Sequence, residues 1–229
     1  QQLKDQNKKA EAKKKELEAF IARFSANLSK SRQATSRKKL LEKLNIEEIE
    51  PSTRRYPYVD FKITRECGND ILIVENLTKK PYFENLSFTV DKNDKIVFLS
   101  DNTLVTTTLF DVLMGKTEAD FGTIKWGVTI TSDYMPSDNS EYFNKLGMNM
   151  CDWIRQYSGD EQTDTFVRGW LGRMLFSGDD VFKEVSVLSG GEKVRLMLAK
   201  LMLSGANVIL LDDPSNHLDL ETITSLNNG

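Results

Sequence analysis

The sequence predicts an α/β fold: a core of short strands and helices with a helical subdomain inserted into it, preceded by a basic α-helical hairpin. Three observations carry this expectation. The first 50 residues hold apolar positions at helical spacing among many lysines and arginines. From Phe61 the pattern turns to short β-rich runs separated by turn residues. Residues 140–188 then read as helical, before an apolar run, Asn207 to Leu211, that ends in Asp212-Asp213 and turns into another helix.

In the hairpin (residues 1–50), Leu17, Phe20, Ile21, Phe24 and Leu28 form one stripe of an amphipathic helix. Ser25 to Ser36 is rich in Ser, Asn, Gln and Thr and interrupts the stripe, and Leu40, Leu41 and Leu44 resume it. The break gathers Lys30, Arg32, Arg37, Lys38 and Lys39 at a tip spanning about residues 27–39. Residues 1–45 carry 13 Lys/Arg against 5 Asp/Glu, while the remainder carries 18 against 29, for a formal total of -3. A basic arm on an acidic globule suits a polyanion such as RNA, whose counterions it would release. The plainer reading is a solvated helix face, with the stripe packing on the return helix. Residues 51–60, with Pro51 and Pro57, read as a connector.

Composition narrows the class. A chain of 229 residues, 39% hydrophobic, can bury one sizeable core and a smaller appendage. Cys67 and Cys151 form no CxxC pair, so neither a disulfide framework nor a zinc site is expected, which fits a reducing cytoplasm. No apolar run approaches a membrane span, and no signal peptide is visible. The chain begins without methionine inside a helical pattern, as a piece of a longer protein would.

In the core, Ile71–Leu77, Leu86–Val90 and Ile96–Leu99 read as strands, Leu104–Met114 as a helix, and Gly122–Gly127 as a further strand or hairpin. Helical patterns follow at 148–158 and 163–176, the latter with Phe166, Val167, Trp170, Leu171, Met174 and Leu175 on one face. The loop "SDNTLVTTT" (100–108) joins a strand to a helix, where a glycine-rich phosphate loop would stand, yet it has no glycine and no lysine. Its threonines suit a helix start. In "VLSGGEKVRLMLAKLML" (187–203), Ser189-Gly190-Gly191 opens a helix whose free N–H groups and dipole favour an anion; alone, it is also an ordinary capping turn. Asp212, at the end of an apolar strand, is suited to hold Mg²⁺ through water, and Asp213 to polarise an attacking water.

Together these motifs resemble the ATP-binding cassette (ABC) domain. "LSGGE" at 188–192 looks like the family signature, and "VILLDDPSNHLD" at 208–219 like the magnesium strand and D-loop. The wording "NHLD" and the basic hairpin are similar to the soluble, tandem ABC-F proteins, whose linker reaches transfer RNA on the ribosome. The resemblance implies an ABC-type P-loop ATPase core at 61–229, lacking its C-terminal end, with ATP and Mg²⁺ as cofactors. It implies as partners the other ATPase domain of the same protein, the ribosome and tRNA, but no membrane. Ser189, Gly190, Gly191 and Glu192 would act on ATP held by that other domain, with His217 and Asp219 of the D-loop beside them. Thr107 and Asp212 would hold the metal, and Asp213 would stand at the catalytic glutamate position.

The departures from the pattern are equally legible. Ser100 and Val105 fall at glycine positions and Thr106 at the lysine, which leaves Asn102, Thr106, Thr107 and Thr108 as a degenerate loop. A β-branched Val105 would be strained if φ there were positive. Ser137 stands at the Q-loop glutamine, Tyr82 is a weak counterpart of the adenine-stacking aromatic, and the only histidine, His217, is not the switch histidine. These losses imply one competent and one structural site in the full protein, and no hydrolysis by this chain alone. Two other readings stand beside it: the ATP-binding subunit of a transporter, and a non-hydrolysing interaction module.

Overall fold

A computed structural model describes residues 2–24, 36–39, 41 and 54–229. The chain divides into two units, residues 1–53 and 54–229. In the first, α1 (Gln2–Phe24) buries Leu17 and half-buries Phe20 and Ile21, so the predicted stripe is a packed face. Residues 36–39 are again helical, and the Arg37 guanidinium lies 3.6 Å over the Phe20 ring. Lys38 and Lys39 are exposed. Leu28, Lys30, Arg32, Leu40 and Leu44 lie outside the described residues.

In the second unit, β1 (Asp70–Lys79) pairs antiparallel with β2 (Phe83–Asp91) on one side and with β3 (Phe121–Trp126) on the other. The helix α2 (Thr103–Leu113) covers this sheet, sharing a core of Ile71, Leu72, Val74, Leu77, Leu109, Val112 and Leu113. A second sheet pairs β4 (Ser132–Met135) with β5 (Val208–Leu211) in parallel. Asn207 ties that pair together: its Nδ2 donates to Arg65 O (3.1 Å) and Thr129 O (3.0 Å), its Oδ1 accepts from Thr131 N (2.9 Å), and its own N–H donates to Thr131 O (3.0 Å).

The helical layer comprises α3 (Met150–Arg155), α4 (Asp164–Arg173) and short 3₁₀ turns at 140–143, 178–182 and 185–187. These pack on α5 (Gly190–Ser204), whose Leu196, Met197, Leu198, Ala199 and Leu201 are buried on successive positions, as expected of a helix covered all round. It stops at Gly205, whose φ of 58° is left-handed. Lys200, on α5, reaches Asp133 of β4 at 2.6 Å and so fastens the helical layer to the second sheet. After β5, Asp219 caps α6 (Leu220–Asn228), accepting from Thr222 N at 2.7 Å.

Three expectations are corrected. Ile96–Leu99 is not a strand: Lys95–Ser100 joins neither sheet, and Val97 and Leu99 are 79% and 91% exposed. The residues are strand formers, but a strand needs a neighbour for its backbone groups, and neither sheet supplies one there. The connector is not a free linker from Arg54 onward, because Tyr58 N donates to Arg173 O (2.8 Å) and Val59 enters the helical core. Leu175 leaves the apolar face of α4, since it lies past the helix end at φ 66° and is partly exposed.

Candidate functional site

The predicted site residues assemble in two clusters. The first lies where α2 begins. Asn102 is the N-cap, its side chain accepting from Leu104 N at 3.0 Å, and Thr106 turns its hydroxyl back onto Thr103 O at 2.8 Å. Val105 sits inside α2 and not at positive φ, so the expected strain is absent: the helix starts early and runs through the position. Thr107 Oγ1 donates to Asp212 Oδ2 at 2.6 Å, joining the first turns of α2 to the residue just after β5. Asp212 is buried, whereas Asp213 is exposed at φ 49°. Thr108 follows Thr107, half-buried.

Tyr134 was not singled out by sequence. It is 2% exposed, and its hydroxyl is buried beside the Asp111 and Asp212 carboxylates. Burial, then the carboxylates of Asp111 and Asp212, push its pKa far up, so it stays a neutral phenol. The nearby cation, Lys116, stands 5.1 Å over the Tyr134 ring and pairs with Glu141 at 3.2 Å. The start of α2 therefore meets the Asp212 carboxylate, with hydroxyls in place of a lysine, while Asp111 lies near the other end of the helix, beside Tyr134. The loop at 100–108 itself offers a triphosphate no positive charge. Mg²⁺ finds one hydroxyl and one buried carboxylate, and among the described residues no group of three His, Cys, Asp or Glu could hold a metal. The pair suits an ion whose remaining ligands are water and a nucleotide's oxygens.

The second cluster lies at the start of α5. Ser189 and Glu192 form a capping box: Ser189 N and Oγ each donate to Glu192 Oε2 at 2.8 Å, and Ser189 Oγ accepts from Glu192 N at 3.4 Å. Glu192 is thus a cap in this conformation. Its partial burial works to raise its pKa, but the Ser189 hydrogen bonds, with Lys183 and Arg195, outweigh this and hold it below the usual value. His217, exposed at φ 63°, lies on the two glycines. A Cβ on Gly190 would come 3.1 Å from His217 Cγ, and one on Gly191 would come 2.8 Å from His217 O. Arg195, one turn along α5, reaches Asp219 at 3.5 Å. The signature and D-loop residues therefore form one surface, and no hydrogen bond or ion pair among the described residues links it to Thr107.

The family model described as ABC transporter matches residues 83–216, more than half of the chain. This chain belongs to the ABC transporter family. A second model with the same description matches residues 1–61. The uncharacterized ABC transporter ATP-binding protein YkpA of Bacillus subtilis (strain 168) is 59% identical over 97% of this chain and 42% of its own length. ABC transporter F family member 5 of Arabidopsis thaliana is 28% identical over 95% and 32%. The energy-dependent translational throttle protein EttA of Haemophilus influenzae is 32% identical over 71% and 30%. The chain spans less than half the length of each of these relatives. Among solved structures, an inward-facing metal-chelate type ABC transporter matches at TM-score 0.52 and 23% identity, covering 69% of this chain and 66% of that one, a likeness of fold alone. The ABC fold agrees with the mixed α/β architecture described above.

Proposed function

We propose that this chain is the linker and second ATPase domain of an ABC-F type translation factor. One observation carries the reading: the signature cluster is complete, whereas the phosphate-loop cluster has a threonine-rich helix start where a triphosphate would need glycines and a lysine. In this reading Ser189, Gly190 and Gly191 meet ATP–Mg²⁺ held by the other ATPase domain, with the helix dipole facing phosphate. Ser189 must then exchange Glu192 for a phosphate oxygen. His217 and Asp219 carry the D-loop edge of that surface, while Thr107 and Asp212 keep the second site as a structural joint. The bound nucleotide supplies the phosphoryl chemistry. Closing the domains around it moves the linker, whose basic tip rests on ribosomal RNA or tRNA in the cytoplasm. The names of EttA and the F-family relative support this placement.

The test is steady-state ATPase activity of the full-length protein. Disabling the other domain's phosphate loop should abolish turnover, while Asp212→Asn should leave most of it. Retained activity in the first variant would overturn the proposal. A second reading, a non-hydrolysing interaction module, draws on the missing lysine at Thr106. It predicts no turnover in any version of the full protein.

A further inference from the structure

One face of α4 is exposed and carries two arginines, Arg168 and Arg173, five positions apart. That spacing sets them about 7.5 Å apart along the axis and roughly 140° around it. Thr165, Gly169 and Gly172 occupy the arc between them, also exposed. A Cβ on either glycine would meet nothing within 4 Å, so the chain leaves that space open. Both arginines lie on aromatic rings. The Arg168 guanidinium is 5.0 Å from the centre of the Phe182 ring, and that of Arg173 is 4.4 Å from Trp170 and 5.4 Å from Tyr58. Neither has an ion pair or a side-chain hydrogen bond among the described residues. The carboxylates of this layer are engaged elsewhere: Asp152 and Asp164 hold Arg155, and Asp180 holds Lys183. Phe182 and Tyr58 remain 54% and 47% exposed. Tyr58 is held in that position, its N–H donating to Arg173 O at 2.8 Å and its hydroxyl to Asp60 at 2.6 Å. Beside Arg168 opens a hollow of about 360 Å³, with Phe176 and Val181 in its wall and Ser177 and Asp179 on its exposed rim.

We propose that this face of α4 binds single-stranded RNA, with unpaired bases stacked at the Phe182 and Tyr58 flanks and phosphates on Arg168 and Arg173. Charge points to this occupant first. Beyond residue 45 the chain carries 18 Lys/Arg against 29 Asp/Glu, so two unpaired guanidiniums are a local exception that matches phosphate. Shape points the same way. Guanidinium planes and a held aromatic ring offer flat faces, which a base covers and an acidic side chain does not. A duplex keeps its base faces stacked inside, so the strand must be single. Ser177 and Asp179 on the rim of the hollow supply acceptors for a ribose 2′-hydroxyl. The open glycine arc lets the strand's backbone approach the helix closely. These residues belong to neither cluster of the nucleotide site, and the proposal stands whether or not the translation reading does.

Ultraviolet cross-linking of the full-length protein to a mixed-sequence single-stranded RNA tests it, read from the peptides that carry a nucleotide. Adducts should fall on Tyr58, Trp170 or Phe182, and adducts confined to residues 1–50 would overturn the proposal. Affinity for the same RNA gives an independent reading. Arg168→Gln with Arg173→Gln should weaken binding about tenfold and lower the slope of log affinity against log salt by roughly 0.7 for each contact removed, with the melting curve still cooperative. Unchanged affinity and slope would overturn it. Arg168→Lys with Arg173→Lys keeps the charge and loses the planes, so the slope should return and the affinity should not. Full recovery of both would leave charge alone as the attraction and overturn the stacking. An RNA duplex and a DNA strand of the same sequence should each bind more weakly, and equal binding by either would overturn the assignment. Displacement by poly-glutamate as effective as by RNA would give the face to an acidic protein instead.

Discussion

At the scale of single residues, the signature cluster separates stability from chemistry. Ser189→Asp keeps an N-cap that can accept from the helix but sets a carboxylate against Glu192, to which the Ser189 hydroxyl now donates, so unfolding should shift by about 1–2 kcal/mol. The same change sets a carboxylate against phosphate, so ATP hydrolysis by the full protein should be lost. Gly190→Ala should destabilise by roughly 1–2 kcal/mol, because its Cβ would press on the His217 ring. Adding His217→Gly, which removes both the ring and the Cβ and fits the φ of 63° there, should restore most of that loss. Gly191→Ala should not be rescued in this way, since its clash is with the His217 carbonyl, which any residue retains. Denaturant titrations of the singles and the doubles read both outcomes. Glu192 adds a pH signature. Its folded pKa lies below its ordinary 4.5, so its contribution is fully present above that value and is lost as pH falls through the lowered one. Melting curves should show an acid-side decline that is shallower in Glu192→Gln.

Among elements, the Lys200–Asp133 pair joins α5 to β4 with both side chains largely buried. Lys200→Met alone should cost about 3–5 kcal/mol, because it strands the Asp133 carboxylate, whereas Lys200→Met with Asp133→Leu should be far milder. Most elements were legible in advance: the paired strands, α2, α5 and α6 follow apolar periodicity, caps and glycine stops. The β4 strand was not, because "SDYM" has no alternation of its own and forms only against β5. The reverse error at Ile96–Leu99 has the same origin, since a β-rich run says nothing about whether a neighbour is there. Thr107 and Asp212 could be read from their motifs, and the structure brings them together at 2.6 Å. The approach of His217 to the glycines, the burial of the Tyr134 hydroxyl beside Asp111 and Asp212, and the Arg195–Asp219 contact depend on tertiary approach, which local spacing does not encode.

For the whole molecule, charge is divided by position: residues 1–45 carry the excess of Lys/Arg and the rest the excess of Asp/Glu. If the hairpin meets RNA phosphates, neutralising Lys30, Arg32, Lys38 and Lys39 should reduce the slope of log affinity against log salt by roughly 0.7–0.9 for each contact removed. Filter binding of the full protein to ribosomes across salt concentrations reads this directly. An unchanged slope would assign those charges to solvent. Arg37 belongs to a separate class, because its guanidinium covers the Phe20 ring. Replacing it should weaken the packing of the first unit as well as any electrostatic attraction.

Asn207 sets a count. Four hydrogen bonds index the start of β5 against Arg65, Thr129 and Thr131, five residues before the carboxylate that receives Thr107. A slip of one position would turn every β5 side chain over and present Leu211 or Asp213 to that hydroxyl in place of Asp212. The amide at one end of the strand is therefore the zero mark from which the acid at the other end is measured, and an error there would be copied along the strand without loss.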